Sequence, residues 1–254
     1  MFEISGKKSV LAALRSKRKY DFQELMIASH LVDADFGRTI ASLANKRKAQ
    51  IKKLDRKHMD SVAGGFFNHQ GVILKLNGSP ERVEINDLIF ESKSDQAQAS
   101  GMKLLALDCI TDHTNIGAIT RTAACFGIRA IVAARDRSAP LIHPAVWKIS
   151  QGAAEDIDFC EASNLANVFN KLKDADFWII GADSGSDAQD IRKMGDWPKK
   201  ICIVLGSESQ GMRQLTRKLC DMLVRIPIRE SQNIDSLNVS HAASVILWEA
   251  NRKQ

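Results

Sequence analysis

Nowhere in its 254 residues does this chain hold an apolar run approaching the roughly 18 residues that a membrane-spanning helix needs. Its first residues, Met1-Phe2-Glu3-Ile4-Ser5-Gly6, lack a basic stretch leading into an apolar core, so no secretory leader is expected. Cysteine is sparse: Cys109, Cys125, Cys160, Cys202 and Cys220 form no C-x-x-C pair, and their number is odd. That pattern speaks against a disulfide framework and against a zinc site. It fits reduced thiols in a cytoplasmic protein or, as a second choice, an organelle matrix. The six histidines show no ligand spacing, so no metal is expected. Internal repeats and low-complexity tracts are also missing. What is there, 44% hydrophobic and 26% charged residues, is the balance of an ordinary folded globular protein.

The net charge of +6 is unevenly placed. Residues 1–60 hold 14 of the 36 lysines and arginines but only 7 of the 30 acidic residues, a balance of +7 against −1 for the rest. A basic region of this kind attracts a polyanion through counterion release, whereas a basic surface that only keeps the protein soluble has the same composition. Lys7, Lys8, Arg15, Lys17, Arg18 and Lys19 are the candidate phosphate contacts.

Two hydrophobic regimes follow one another. In the first, Ile4–Lys19 reads as a helix with Val10, Leu11 and Leu14 as its stripe, and Phe36–Arg47 as a second helix. Residues 24–28, 50–54 and 71–76 read as strands, giving a small α/β unit over residues 1–76. Residues 77–101 turn polar and read as a linker with one short helix near Ile85–Phe90. From residue 102 to 254, short apolar strands alternate with helical patterns, predicting a mostly parallel sheet.

Three segments of this second region hold more Gly, Ser and Asn than a scaffold needs, and each follows a predicted strand. The C-terminal edge of such a sheet is where ligands bind. The first runs from Leu107 to Gly127 and contains Asp112-His113-Thr114-Asn115-Ile116-Gly117 and Arg121. Asn115 is placed to cap the following helix. The second is Leu205-Gly206-Ser207-Glu208-Ser209-Gln210-Gly211-Met212, and the third joins Ile226-Pro227-Ile228 to Ser236-Leu237-Asn238-Val239-Ser240. Any one alone reads as a turn.

In this order the three segments resemble the SpoU family of RNA ribose methyltransferases within the SPOUT superfamily. Lys148-Ile149-Ser150-Gln151-Gly152-Ala153-Ala154-Glu155 and His69-Gln70-Gly71-Val72-Ile73 add to the likeness, which covers nearly the whole chain. It is greatest to the enzymes that methylate a guanosine ribose in large-subunit ribosomal RNA, and next to those acting on tRNA. The resemblance implies a deep C-terminal trefoil knot, S-adenosylmethionine as cofactor, an RNA substrate and a homodimer in which the first motif faces the partner's cofactor site.

Carried over motif by motif, Leu205, Gly206, Ser207, Gly211, Ile226, Ile228, Ser236, Leu237 and Asn238 would hold the cofactor. Arg121, Asn115, Glu208, Ser236 and Asn238 would form the catalytic set, with Arg121 binding a phosphate and stabilising alkoxide charge. Asn115 would position Arg121 or the ribose, and Glu208 would orient Arg121 or a cofactor-side loop. Two features depart from the family pattern: Ser209 stands where glycine is usual, and the loop 228–235 is longer and lacks glycine. Two other readings compete, an inactive ribosome-assembly factor with the same fold and a binding module in which residues 1–76 do the main work.

Overall fold

The computed structural model describes residues 1–62, 68–229 and 236–252. Most of the long loop within the third motif, residues 230–235, lies outside the described residues. The chain divides into two compact units: Met1–Glu81 with Ile142–Asp156, and Arg82–Leu141 with Ile157–Gln254.

The first unit is built from β1 (Phe2–Ser5), α1 (Lys7–Arg15), β2 (Phe22–Ala28), α2 (Asp35–Lys46), β3 (Gln50–Leu54), α3 (Arg56–Val62) and β4 (Val72–Leu76). Its sheet has the order β1-β4-β2-β3, with β2 and β3 parallel and the other two pairings antiparallel. The expected helix from Ile4 is corrected: Phe2 and Ile4 point inward from a strand that pairs with β4, and the helix begins at Lys7. Four alternating residues are too short a signal to compete with the helical period that follows. Ile4, Val10, Leu14, Leu25, Ile40 and Leu74 form the buried interior, each at 0–1% exposure.

Residues 142–156 complete this unit with the helix Pro144–Ser150. Trp147 is fully buried and meets the Phe2 ring edge-on at 5.2 Å. Its carbonyl accepts from Ser9 Oγ at 2.8 Å, and its indole N–H donates to Glu155 at 2.9 Å.

The second unit begins with α4 (Ile85–Glu91) and α5 (Asp95–Ser100). Within the stretch read as a linker, Ile85, Leu88 and Ala97 belong to the unit's core, and Ser94 caps α5. The sheet follows as β5 (Met102–Asp108), α6 (His113–Cys125) and β6 (Ala130–Ala134). After α7, the Pro144–Ser150 helix of the first unit, come β7 (Asp158–Ala162), α8 (Leu165–Lys173), β8 (Trp178–Ala182), β9 (Gln189–Asp190), β10 (Lys200–Gly206), α9 (Gln214–Leu219), β11 (Met222–Arg225) and α10 (Val239–Glu249). The strand order is β7-β6-β5-β10-β8-β11-β9, and all six pairings are parallel, as the runs of apolar residues predict. β5 and β10 are central and buried on both faces: Leu104 and Cys202 on one face and Leu105 and Ile203 on the other are wholly inaccessible.

Candidate active site at the C-terminal edge of the parallel sheet

Because the strands are parallel, their C-terminal ends share one edge. The first motif leaves β5, the second leaves its neighbour β10, and the third leaves β11. Asp108 and Gly206 are register partners at the ends of β5 and β10, so the first two motifs start side by side.

Motif two closes into a small loop. Ser207 and Gly211 exchange backbone hydrogen bonds at 3.1 and 2.8 Å. Gly206 has no room for a side chain, since a Cβ would meet the Gly211 carbonyl carbon at 2.2 Å. Gly211 adopts φ +66°, which favours glycine, and faces open space. The loop thereby projects Glu208 outward.

Glu208 joins the three motifs. Its Oε1 accepts from Asn115 Nδ2 at 3.1 Å, from the Val239 N–H at 3.1 Å, and from Asn238 Nδ2. Asn238 Nδ2 also reaches Asn115 Oδ1 at 3.1 Å, closing a triangle. The carboxylate sits on the first N–H of α10, where the helix dipole favours negative charge. Asn238 is the cap of α10, its Oδ1 accepting from Ser240 N–H at 2.9 Å. The expected cap at Asn115 is corrected: Asp112 caps α6, accepting from Thr114 N–H at 2.7 Å. Asn115 lies one turn inside, which frees its amide to reach across to Glu208.

The other predicted residues are distributed around this triangle. Leu205 is buried at the end of β10, while Ile226 is half-buried after β11. Ile228 and Leu237 leave apolar side chains 40% and 37% exposed. Ser236 is exposed, next but one to the Asn238 cap.

Arg121 is not brought to the triangle. It is exposed further along α6 and makes no hydrogen bond or ion pair among the described residues, so Glu208 and Asn115 do not orient it within one chain. Arg121 lines a hollow with Phe126, Val245 and Trp248, where α6 packs on α10 and Thr122 meets Ser244 at 3.3 Å. Trp248 is 55% exposed there.

Of the basic residues predicted to contact phosphate, Lys8, Arg15, Lys17 and Lys19 are exposed and Lys7 half-buried. Arg18 differs: its guanidinium donates to the Glu155 carbonyl at 3.3 Å and lies 3.9 Å from the Glu155 carboxylate, which ties it into the first unit. No group of three or more His, Cys, Asp or Glu capable of holding a metal occurs among the described residues.

Sequence reasoning missed one pair. Asp108 is fully buried, and its carboxylate accepts from the Arg213 backbone N–H at 2.9 Å and from its guanidinium at 2.7 Å. This pair ties the end of β5 to the far side of the motif-two loop. The signal was legible: an acid closing the apolar run Leu104–Leu107 needs a buried partner.

Both parts of the chain match known protein families. Residues 102–248 match the SpoU rRNA methylase family, and residues 4–81 match the RNA 2′-O ribose methyltransferase substrate-binding domain. The chain belongs to the SpoU rRNA methylase family. Among its relatives is the 23S rRNA (guanosine-2′-O-)-methyltransferase RlmB of Pseudomonas syringae pv. tomato, 36% identical over 85% of this chain and 82% of that protein. The protein of the same name from Bordetella pertussis is 32% identical over 99% of this chain and 97% of its own length. The AdoMet-bound rRNA methyltransferase structure from Sinorhizobium meliloti shares the fold, with a TM-score of 0.79 at 21% identity, over 99% of this chain and 87% of that one.

Proposed function

We propose that the chain transfers a methyl group from S-adenosylmethionine to the ribose 2′-hydroxyl of a guanosine in large-subunit ribosomal RNA. One observation carries the reading: the three motifs meet in the Asn115–Glu208–Asn238 triangle, in a chain whose near-full-length relatives carry that activity in their names.

The residues fit the cofactor. Open space over Gly211 and the exposed apolar side chains of Ile228 and Leu237 suit a flat adenine held by backbone groups of Leu205, Gly206, Ser207 and Ile226. Ser236 and Asn238 border the same edge. When bound, the cofactor supplies an electrophilic methyl group. The chain's part is to position and to stabilise charge. Glu208 holds Asn115 and Asn238 in fixed orientations, leaving amide groups at the reacting edge. Arg121 acts on the nucleophile by pairing with the adjacent phosphate and stabilising alkoxide charge. Having no partner among the described residues, it is open to RNA.

Arg121's distance from the triangle favours a homodimer. The exposed Arg121–Trp248 face of α6 and α10 would dock on a second copy and present Arg121 to that copy's cofactor edge. The C-terminal segment would thread into the trefoil knot of its superfamily. No helix among the described residues is long and apolar enough to cross a membrane, and a cytoplasmic site in a bacterium suits a ribosomal substrate.

The test is methyl transfer from labelled S-adenosylmethionine to unmodified large-subunit rRNA, with tRNA in parallel and the modified ribose mapped. Transfer to one guanosine of rRNA is expected. Transfer to tRNA alone would move the substrate class, and no transfer with no cofactor binding would leave an RNA-binding assembly factor.

A further inference from the structure

The first unit contains a hollow of about 550 Å³ that plays no part in the proposed methyl transfer. Its wall is formed by Lys7 and Lys8 at the start of α1, Phe36 in α2, Gln70 before β4, and Lys148 and Gln151 at the end of α7. Among the described residues, three lysines line it and no acidic residue does. Lys148 is half-buried, and its ammonium donates to the Asn68 carbonyl. It pairs with no acidic group among the described residues, and burial lowers its pKa. Gly6, whose φ of +94° favours glycine, brings the backbone close beside this ammonium. Lys8 Nζ lies 3.4 Å from Gln151 Oε1, and Lys7 Nζ stands 5.5 Å from the centre of the Phe36 ring. Gln70 Oε1 accepts the Lys7 backbone N–H at 3.0 Å, which leaves its amide NH₂ as a donor.

We propose that this hollow binds one unpaired nucleotide of the RNA substrate, with its phosphate among Lys7, Lys8 and Lys148 and its base against Phe36, read by the amides of Gln70 and Gln151. The inference rests on the reading that RNA is the substrate. An uncompensated cluster of three cations calls for an anion. A phenyl ring and two amides beside it match a flat, hydrogen-bonding base. A base inside a duplex shows no open face to stack on, whereas a single-stranded loop does. The bound segment therefore has one nucleotide out of its stack, at a place distinct from the reacting edge of the parallel sheet. Lys148 and Gln151 come from the segment returned to this unit by the chain after β6, so residues 1–81 alone lack two of the contacts.

The experiment measures equilibrium binding of a large-subunit rRNA transcript to the full chain over a salt series, for the wild type, Phe36→Leu and Lys148→Gln. Loss of one stacked base should weaken binding by about 5- to 100-fold in Phe36→Leu with an unchanged salt slope. Loss of one single-strand phosphate contact should reduce the salt slope by about 0.7 in Lys148→Gln. Both variants should keep wild-type affinity for S-adenosylmethionine. Should Phe36→Leu fold poorly, Gln70→Glu, which sets a carboxylate against the phosphate, should weaken binding in its place. Wild-type affinity and slope in the folded variants would overturn the subsite, while methyl transfer to rRNA by the wild type would leave the proposed function standing. Conversely, a wild type that binds rRNA through this hollow but methylates no RNA would keep the subsite and overturn the proposed function.

Discussion

Glu155 and Glu208 both gather several hydrogen-bond donors, in opposite surroundings. Glu155, in the first unit, accepts from Tyr20 Oη at 2.8 Å and Trp147 Nε1 at 2.9 Å, with the Arg18 guanidinium nearby. Its side chain is 5% exposed, and burial pushes its carboxyl above the ordinary range against the lowering effect of those bonds. Glu208, in the second unit, is exposed and takes its donors from residues that are 93 and 30 positions away in sequence. A carboxylate buried among aromatic residues specifies how a unit packs. An exposed one holding two amides across three loops leaves polar groups available to a ligand. The number of hydrogen bonds does not separate scaffold from site; exposure and the origin of the partners do.

Five variants would break or sharpen that contrast. The largest effect on stability is expected at the buried pair. Arg213→Ala strands the fully buried Asp108 carboxylate and should cost about 3–5 kcal/mol in urea unfolding. Asp108→Ala should cost less, because Arg213 is 34% exposed and can turn to water. Arg121→Ala should show the reverse profile. It has no partner to lose among the described residues, so its unfolding midpoint should hold while single-turnover methyl transfer falls roughly 10²- to 10³-fold.

Asn238→Ala removes both the α10 cap and one corner of the triangle. A stability loss of about 1 kcal/mol is expected from the cap. Methyl transfer should fall at temperatures where the protein is fully folded, and retained transfer would place the triangle with the scaffold. The smallest effect is expected at Glu155→Gln. With its folded-state pKa raised, Glu155 contributes most while protonated, below its unfolded pKa, and that contribution fades as pH rises through the folded value. The wild type should therefore lose stability relative to Glu155→Gln as pH rises from the ordinary carboxylate range toward neutrality, seen as a shift in the difference of their urea midpoints. Methyl transfer should be unaffected, and a drop would show that this carboxylate serves more than packing.

Much of the second unit was legible because its strands are uniform apolar runs punctuated by glycine, and β5, β6, β8 and β10 fall where the pattern puts them. The misses have local causes. β1 is four residues long, β9 is two, and α5 (Asp95–Ser100) is almost wholly polar, so none carries a measurable period. Asn115, Glu208 and Asn238 could each be picked out as residues. That one Glu208 oxygen serves all three motifs could not, because no spacing in the chain encodes it.

The sequence by itself determined the parallel α/β class of the second unit, the basic character of the first and the residues that meet at the sheet edge. Apolar periodicity, charge and glycine placement are local properties that survive being read in a line. Tertiary structure decided the rest. It assigned residues 142–156 to the first unit, left Arg121 away from the carboxylate expected to orient it, and buried one glutamate among aromatic residues while leaving the other exposed among three motifs. Those outcomes depend on which buried polar groups find partners, and that matching is settled only when segments far apart in the chain are packed together.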